Sequence, residues 1–150
     1  MTEVINRQRK LPIDCERWQA FAEKVMKVLP LAAAKESNVT IAFVSDRVMR
    51  ELNRQWRRKR GTTDVLSFPA EQDEFEKSEG FSLGDVVISI EQAARQATQN
   101  ELTLDQEIAQ LILHGLIHLS GYDHETDEGG MNALELRLRR KLDILSLIHI

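Results

Sequence analysis

Val39-Thr40-Ile41-Ala42-Phe43-Val44-Ser45-Asp46 changes its period within one short stretch. Val39, Ile41 and Phe43 alternate with Thr40, Ala42 and Val44, the two-residue repeat of a strand. Ser45 and Asp46 then offer side-chain oxygens to the first free N–H groups of a helix. The chain therefore passes from strand to helix near its middle, and the segments on either side extend the mixture. Upstream, Cys15, Trp18, Phe21, Ala22, Val25, Met26 and Leu29 recur every three or four residues, which predicts a core helix ended by Pro30. Val4 and Ile5 supply a short first strand.

Downstream, the helix that follows Asp46 carries a cluster of basic residues. Asp64 to Phe68 and Leu83 to Ile88 read as two strands that pair as a long-looped hairpin, and the acidic stretch between them reads as an exposed connection. Ser89 with Gln92, and Thr103 with Gln106, have the spacing of capping boxes and open two further helices. A last helix follows Gly129 and Gly130, with Leu134, Leu138, Leu142 and Leu145 in its buried stripe. No repeat, low-complexity run or Pro- or Ser-rich linker divides the chain. The expected class is α+β, a mixed sheet of about four strands packed with about five helices.

The 150 residues, 42% of them hydrophobic, suffice for one domain with its own core, expected to span 1–150. A lone Cys15, a start without the layout of a secretory signal and the lack of a bilayer-length apolar run point to the cytosol, with no membrane partner. The net charge of -4 argues against nucleic acid only on average. Arg47, Arg50, Arg54, Arg57, Arg58, Lys59 and Arg60 face a single acid, Glu51, in the same segment, whereas Glu71 to Glu79 is almost wholly acidic. Screening limits each charge to a reach of about 10 Å, so a local basic surface can still bind a polyanion. The acidic stretch is expected to lie away from such a surface.

Three of the four histidines fall in His114-Gly115-Leu116-Ile117-His118-Leu119-Ser120-Gly121-Tyr122-Asp123-His124. Histidines four apart on a helix share a face, so two imidazoles can converge on one ion. Gly121 can end that helix in the left-handed conformation and turn His124 back toward the same point. A pair alone would read as ordinary helix residues; the third, placed after a glycine, points to a metal. Three neutral imidazoles suit one zinc ion and leave a fourth position for water, as in catalytic rather than structural sites. His149, near the end of the sequence, is read as incidental. The spacing matches the metzincin pattern H-E-x-x-H-x-x-G-x-x-H except that Gly115 stands where the protease has its general-base glutamate, which disfavours peptide hydrolysis.

These residues resemble the YbeY family of bacterial single-strand-specific endoribonucleases. The run from His114 to His124 fits that family's H-G-x-x-H-L-x-G-Y-D-H signature. Leu52-Asn53-Arg54-Gln55-Trp56-Arg57 with Thr63-Asp64-Val65-Leu66-Ser67-Phe68-Pro69 resembles its second motif, and Leu83-Gly84-Asp85-Val86-Val87-Ile88-Ser89 its third. The resemblance implies a zincin-like domain and a zinc-dependent endoribonuclease acting in ribosomal RNA maturation, including processing of the 16S 3' end, and in ribosome quality control. It also implies ribosomal RNA as partner, together with ribosomal or ribosome-associated proteins.

In that reading His114, His118 and His124 hold zinc, and His114 and Arg57 belong to the catalytic set. Arg57 meets phosphate with its planar fork, and Arg58 and Lys59 either bind RNA beside it or are simply part of a solvated face. Asp123 accepts the second N–H of a ligating imidazole, or else carries a proton. Thr63, Asp64 and Ser67 either orient the sheet edge beside the site or simply cap and turn the chain. Glu107, two turns before His114, is either a partner of the site or a surface charge. Thr62 stands where the family commonly has proline, a departure that bears on loop shape. The attacking group is either water or the RNA's own 2'-hydroxyl, and the product ends distinguish the two. The alternative function is a ribosome assembly factor whose zinc is mainly structural and whose basic helix binds RNA.

Overall fold

Asp14 starts the first helix by accepting the N–H of Arg17 at 3.2 Å, and the helix α1 runs over Cys15–Val28. Its apolar face, Trp18, Phe21, Ala22, Val25 and Met26, is buried as the spacing predicts. Leu29 follows in extended backbone with φ -65° and ψ 139°, the conformation that the residue before a proline favours. The computed structural model describes residues 2–29, 38–57, 64–69 and 82–119, together with Leu138 and Arg140.

Strand β1 spans Thr2–Asn6 and β2 spans Asn38–Val44. Helix α2, Asp46–Arg57, follows at once, with Ser45 accepting the N–H of Val48 at 3.3 Å. Strand β3 is Val65–Pro69 and β4 is Ser82–Ser89, each within a residue or so of its sequence limits. Helices α3, Ile90–Gln99, and α4, Leu104–Leu119, complete the order. Thr103 and Gln106 form the full reciprocal capping box, with Gln106 N donating to Thr103 Oγ1 at 3.1 Å and Thr103 N donating to Gln106 Oε1 at 2.7 Å. Only half of a box forms at Ser89. Its hydroxyl accepts the N–H of Gln92 at 3.3 Å, but its own N–H donates to the carbonyl of Asp64 at 2.9 Å, extending the sheet contact instead.

The sheet order is β1-β2-β4-β3. The first three strands are parallel, and β3 lies antiparallel to β4 at the edge, with Val65 opposite Ile88. The expected pairing of the last two strands is thus present, and β4 in addition pairs with β2, which makes it a central strand. Because successive side chains in a strand point to opposite faces, the two faces of the sheet carry different cores. Ile41, Phe43, Val86 and Ile88 join α1 and α4 in the larger core, against which Val65 packs. Val44, Leu66 and Val87 join Met49, Leu52 and Phe68 in a smaller core on the other side, under α2. The basic helix and the histidine helix therefore cover opposite faces of one sheet.

Helix α4 is the interior helix: Ile108, Ala109, Ile112, Leu113, Leu116 and Ile117 are essentially inaccessible. Burying each of its larger aliphatic side chains contributes roughly 1.5–3 kcal/mol, which is why a helix apolar nearly all round settles in the core. Leu138 is helical and buried in the same core, in agreement with the stripe expected of the last helix; Leu134, Leu142 and Leu145 lie outside the described residues. Among the described residues no helix is long and apolar enough to cross a membrane.

Candidate metal centre

His114 and His118 are half-buried on a helix whose other faces are closed. On α4 the residues from Gln106 to Ala109, from Leu111 to Leu113, from Gly115 to Ile117, and Leu119 are all buried, and only Gln110, His114 and His118 stay partly open beyond Asp105. These three are four residues apart, so they form one strip along the helix. The expected histidine pair is thereby on a common face and reachable from solvent. Two imidazoles one turn apart suit two corners of a tetrahedral ion. Among the described residues no group of three or more His, Cys, Asp or Glu side chains gathers into a metal shell. His124, the expected third ligand, and Asp123 beside it lie outside the described residues.

Gly115 faces the sheet. A Cβ there would stand 2.7 Å and 3.0 Å from the two methyl carbons of Val86 and 3.4 Å from Ser67 Oγ. Val86 is fully buried and, being β-branched, has little freedom to turn away. The missing glutamate of the protease pattern thus has a packing cause: α4 lies too close to β4 for a side chain at this position. Ser67 consequently stands on β3 beside the histidine helix.

Beside His114 the strip opens into a recess of about 280 Å³. Asp64 and Val65 at the start of β3 form one wall, and Gln96 and Asn100 at the end of α3 form another. Glu107, Gln110 and His114 of α4 supply the third. Glu107, read from the sequence as either a partner of the site or a surface charge, is only 4% exposed and belongs to this wall. Gln96, Asn100 and Gln110 were not singled out in the sequence. Gln110 has a local signal, its place four residues before His114, but Gln96 and Asn100 come to the site only through the packing of α3 on α4.

The remaining expectations divide by position. Arg57 closes α2, and Arg58, Lys59 and Thr63 lie outside the described residues, as do the acidic stretch Glu71 to Glu79 and His149. Arg47, Arg50 and Arg54 are exposed on α2, with Arg54 held by Glu51 at 2.7 Å. Since α2 covers the face of the sheet opposite α4, the body of the basic helix is not brought to the histidines. The Arg57 side chain lies outside the described part of the structure, while Asp64, where the described chain resumes, lines the recess.

A family model described as endoribonuclease YbeY matches residues 3–143. A Clostridioides difficile protein named endoribonuclease YbeY is 36% identical over 148 residues, covering 97% of this chain and 94% of its own. A Nautilia profundicola protein of the same name is 43% identical over 111 residues, covering 74% and 76%. One from Koribacter versatilis is 44% identical over 115 residues, covering 77% and 71%. The solution structure of a Thermotoga maritima protein superposes with a TM-score of 0.64 at 22% identity, covering 97% of this chain and 89% of that one, a likeness of fold.

Proposed function

This chain belongs to the endoribonuclease YbeY family, and from that premise we propose that it is a metal-dependent endoribonuclease of ribosomal RNA maturation, folded as a single domain over residues 1–150. The resident ion is zinc, held by His114, His118 and His124. The observation that carries the metal reading is the strip on α4, where the two histidines are the half-open residues of an otherwise buried helical end. A core helix has no packing reason to place imidazoles together at its one open strip, whereas a metal centre needs them there.

Bound zinc would supply a polarised phosphoryl oxygen and an acidified water. The protein's own groups do the rest. Helix α4, fixed by the core on three sides, holds His114 and His118 in one orientation. Arg57, at the end of α2, binds the phosphate through two parallel hydrogen bonds and stabilises the charge that develops as the phosphorus gains a fifth oxygen. Arg58 and Lys59 add attraction for the RNA backbone, and Asp123 orients a ligating imidazole. Single-stranded RNA, foremost ribosomal RNA, is the substrate, in the cytoplasm and in company with ribosomal proteins. Residue 115 cannot serve as a general base, which supports a nuclease over a zinc protease.

The test is metal analysis of the purified protein joined to cleavage of a single-stranded RNA with and without chelator. About one zinc per chain and cleavage that stops on chelation are expected. Cleavage that persists in a metal-free protein would overturn the reading. The alternative is an assembly factor with mainly structural zinc and weak or absent cleavage; a His114→Ala protein that stays folded and binds RNA but no longer cuts supports the enzyme over it.

A further inference from the structure

The recess beside His114 has a composition that does not suit phosphate. Among the described residues no Lys or Arg lines it, and two carboxylates, Asp64 and Glu107, do. Around them stand the carboxamides of Gln96, Asn100 and Gln110, while Val65 and Leu111 contribute apolar surface. We infer that this recess is a nucleobase subsite, which takes one unpaired base bearing an exocyclic amino group while the adjoining phosphodiester lies toward His114 and His118. The inference rests on the endoribonuclease reading above and adds to it a base preference.

Size, chemistry and placement agree. A volume of about 280 Å³ has room for one planar ring system. Carboxylate oxygens only accept, so they match the amino donors of cytosine, adenine and guanine. Uracil has no amino group, and its single ring N–H is flanked by carbonyl oxygens that would meet the carboxylates acceptor against acceptor. The carboxamides offer both donors and acceptors and can complete the edge of any amino-bearing base. The apolar side chains give the ring a surface to lie on. A base engaged in a helix has this edge already used by its partner, so the recess selects unpaired nucleotides. Gln110 precedes His114 by about one turn, roughly 6 Å of rise, so a base bonded at Gln110 leaves its own phosphate within reach of the histidine pair.

The experiment titrates the zinc-loaded protein with cytidine, adenosine and uridine 5'-monophosphates, none of which has a phosphodiester to cleave, and reads binding by calorimetry. All three share the phosphate, so any difference reports the base. Cytidine and adenosine monophosphates are expected to bind about fivefold more tightly than uridine monophosphate. The double variant Asp64→Asn, Glu107→Gln, whose carboxamides offer both donors and acceptors, should bind all three about alike. Each single variant should at least halve the ratio, so the result does not depend on the double variant folding. Equal binding of the three nucleotides by the parent, or an unchanged preference in the variants, would overturn the subsite. Failure of the nuclease reading is separate: it shows as absent RNA cleavage by the same zinc-loaded protein.

Discussion

Gly115 and Val86 touch across the interface of α4 and β4 so closely that a Cβ on the glycine would lie 2.7 Å from Val86 Cγ1. Alanine at 115 would gain about 1 kcal/mol in helix propensity, but overpacking a closed core costs typically 1–3 kcal/mol. Gly115→Ala should therefore destabilise the protein by about 1 kcal/mol in urea unfolding. In a Val86→Ala background, where the two methyl groups are gone, the same change should be neutral or stabilising. An equal cost in both backgrounds would show that the clash lies elsewhere.

Metal removal should be visible in stability as well as in cleavage. An ion held at about one hundred times its dissociation constant stabilises the native state by about 2.7 kcal/mol. For a chain of this length, that corresponds to about 5–10 °C in the unfolding midpoint. Chelator should lower the midpoint of the parent by that amount and leave His118→Ala, already without its ion, where it was. A chelator-sensitive midpoint in His118→Ala would remove this histidine from the ligand set.

Arg57 separates transition-state recognition from simple charge attraction. Lysine keeps the charge but loses the fork, so Arg57→Lys should slow single-turnover cleavage at least about tenfold, equivalent to about 1.4 kcal/mol. RNA affinity should hardly change, and Arg47→Lys on the outer face of α2 should alter neither quantity. Parent-like cleavage by Arg57→Lys would rule out the assigned role.

Asp46 ties two helices together. It accepts the Ser89 hydroxyl at 2.6 Å in a buried contact, and its other oxygen pairs with Arg95, whose side chain is half exposed. The buried hydrogen bond should dominate, since exposed ion pairs contribute little and an abandoned buried donor costs about 1–3 kcal/mol. Asp46→Ala is expected to cost about 2 kcal/mol in thermal or urea unfolding, and Asp46→Asn, which can still accept from Ser89, clearly less. Equal losses would mean that the charge matters more than the hydroxyl.

Local grammar made much of this fold readable. The change of period at Val44 to Asp46, the capping box at Thr103 and Gln106, and the apolar spacing from Trp18 to Met26 each depend on neighbours in sequence, and each is realised. The histidine strip is legible for the same reason, because four-residue spacing is itself a geometric statement about a helix. Sheet order is not local. Nothing in Ser82 to Ser89 announces that this strand lies between β2 and β3, and so nothing announces that the basic helix and the histidine helix fall on opposite faces. The recess escapes sequence reading because Gln96, Asn100 and Asp64 meet only after three elements have packed. Gly115 reads in sequence as the loss of a base, and only the fold supplies Val86 as the neighbour that leaves no room for one.

The sheet also has a consequence for the order of assembly. Its parallel part joins Thr2 to Val39 and Asn38 to Ser82, pairings that close long stretches of chain before any contact compensates for the lost freedom. Such non-local topology sets the folding rate, and α4 can dock only on a sheet that exists. An ion that meets the newly made chain finds at most two neighbouring imidazoles on a nascent helix. Zinc should therefore leave the refolding rate unchanged and slow unfolding alone, so that the metal acts as a latch on the finished protein and not as a seed for making it.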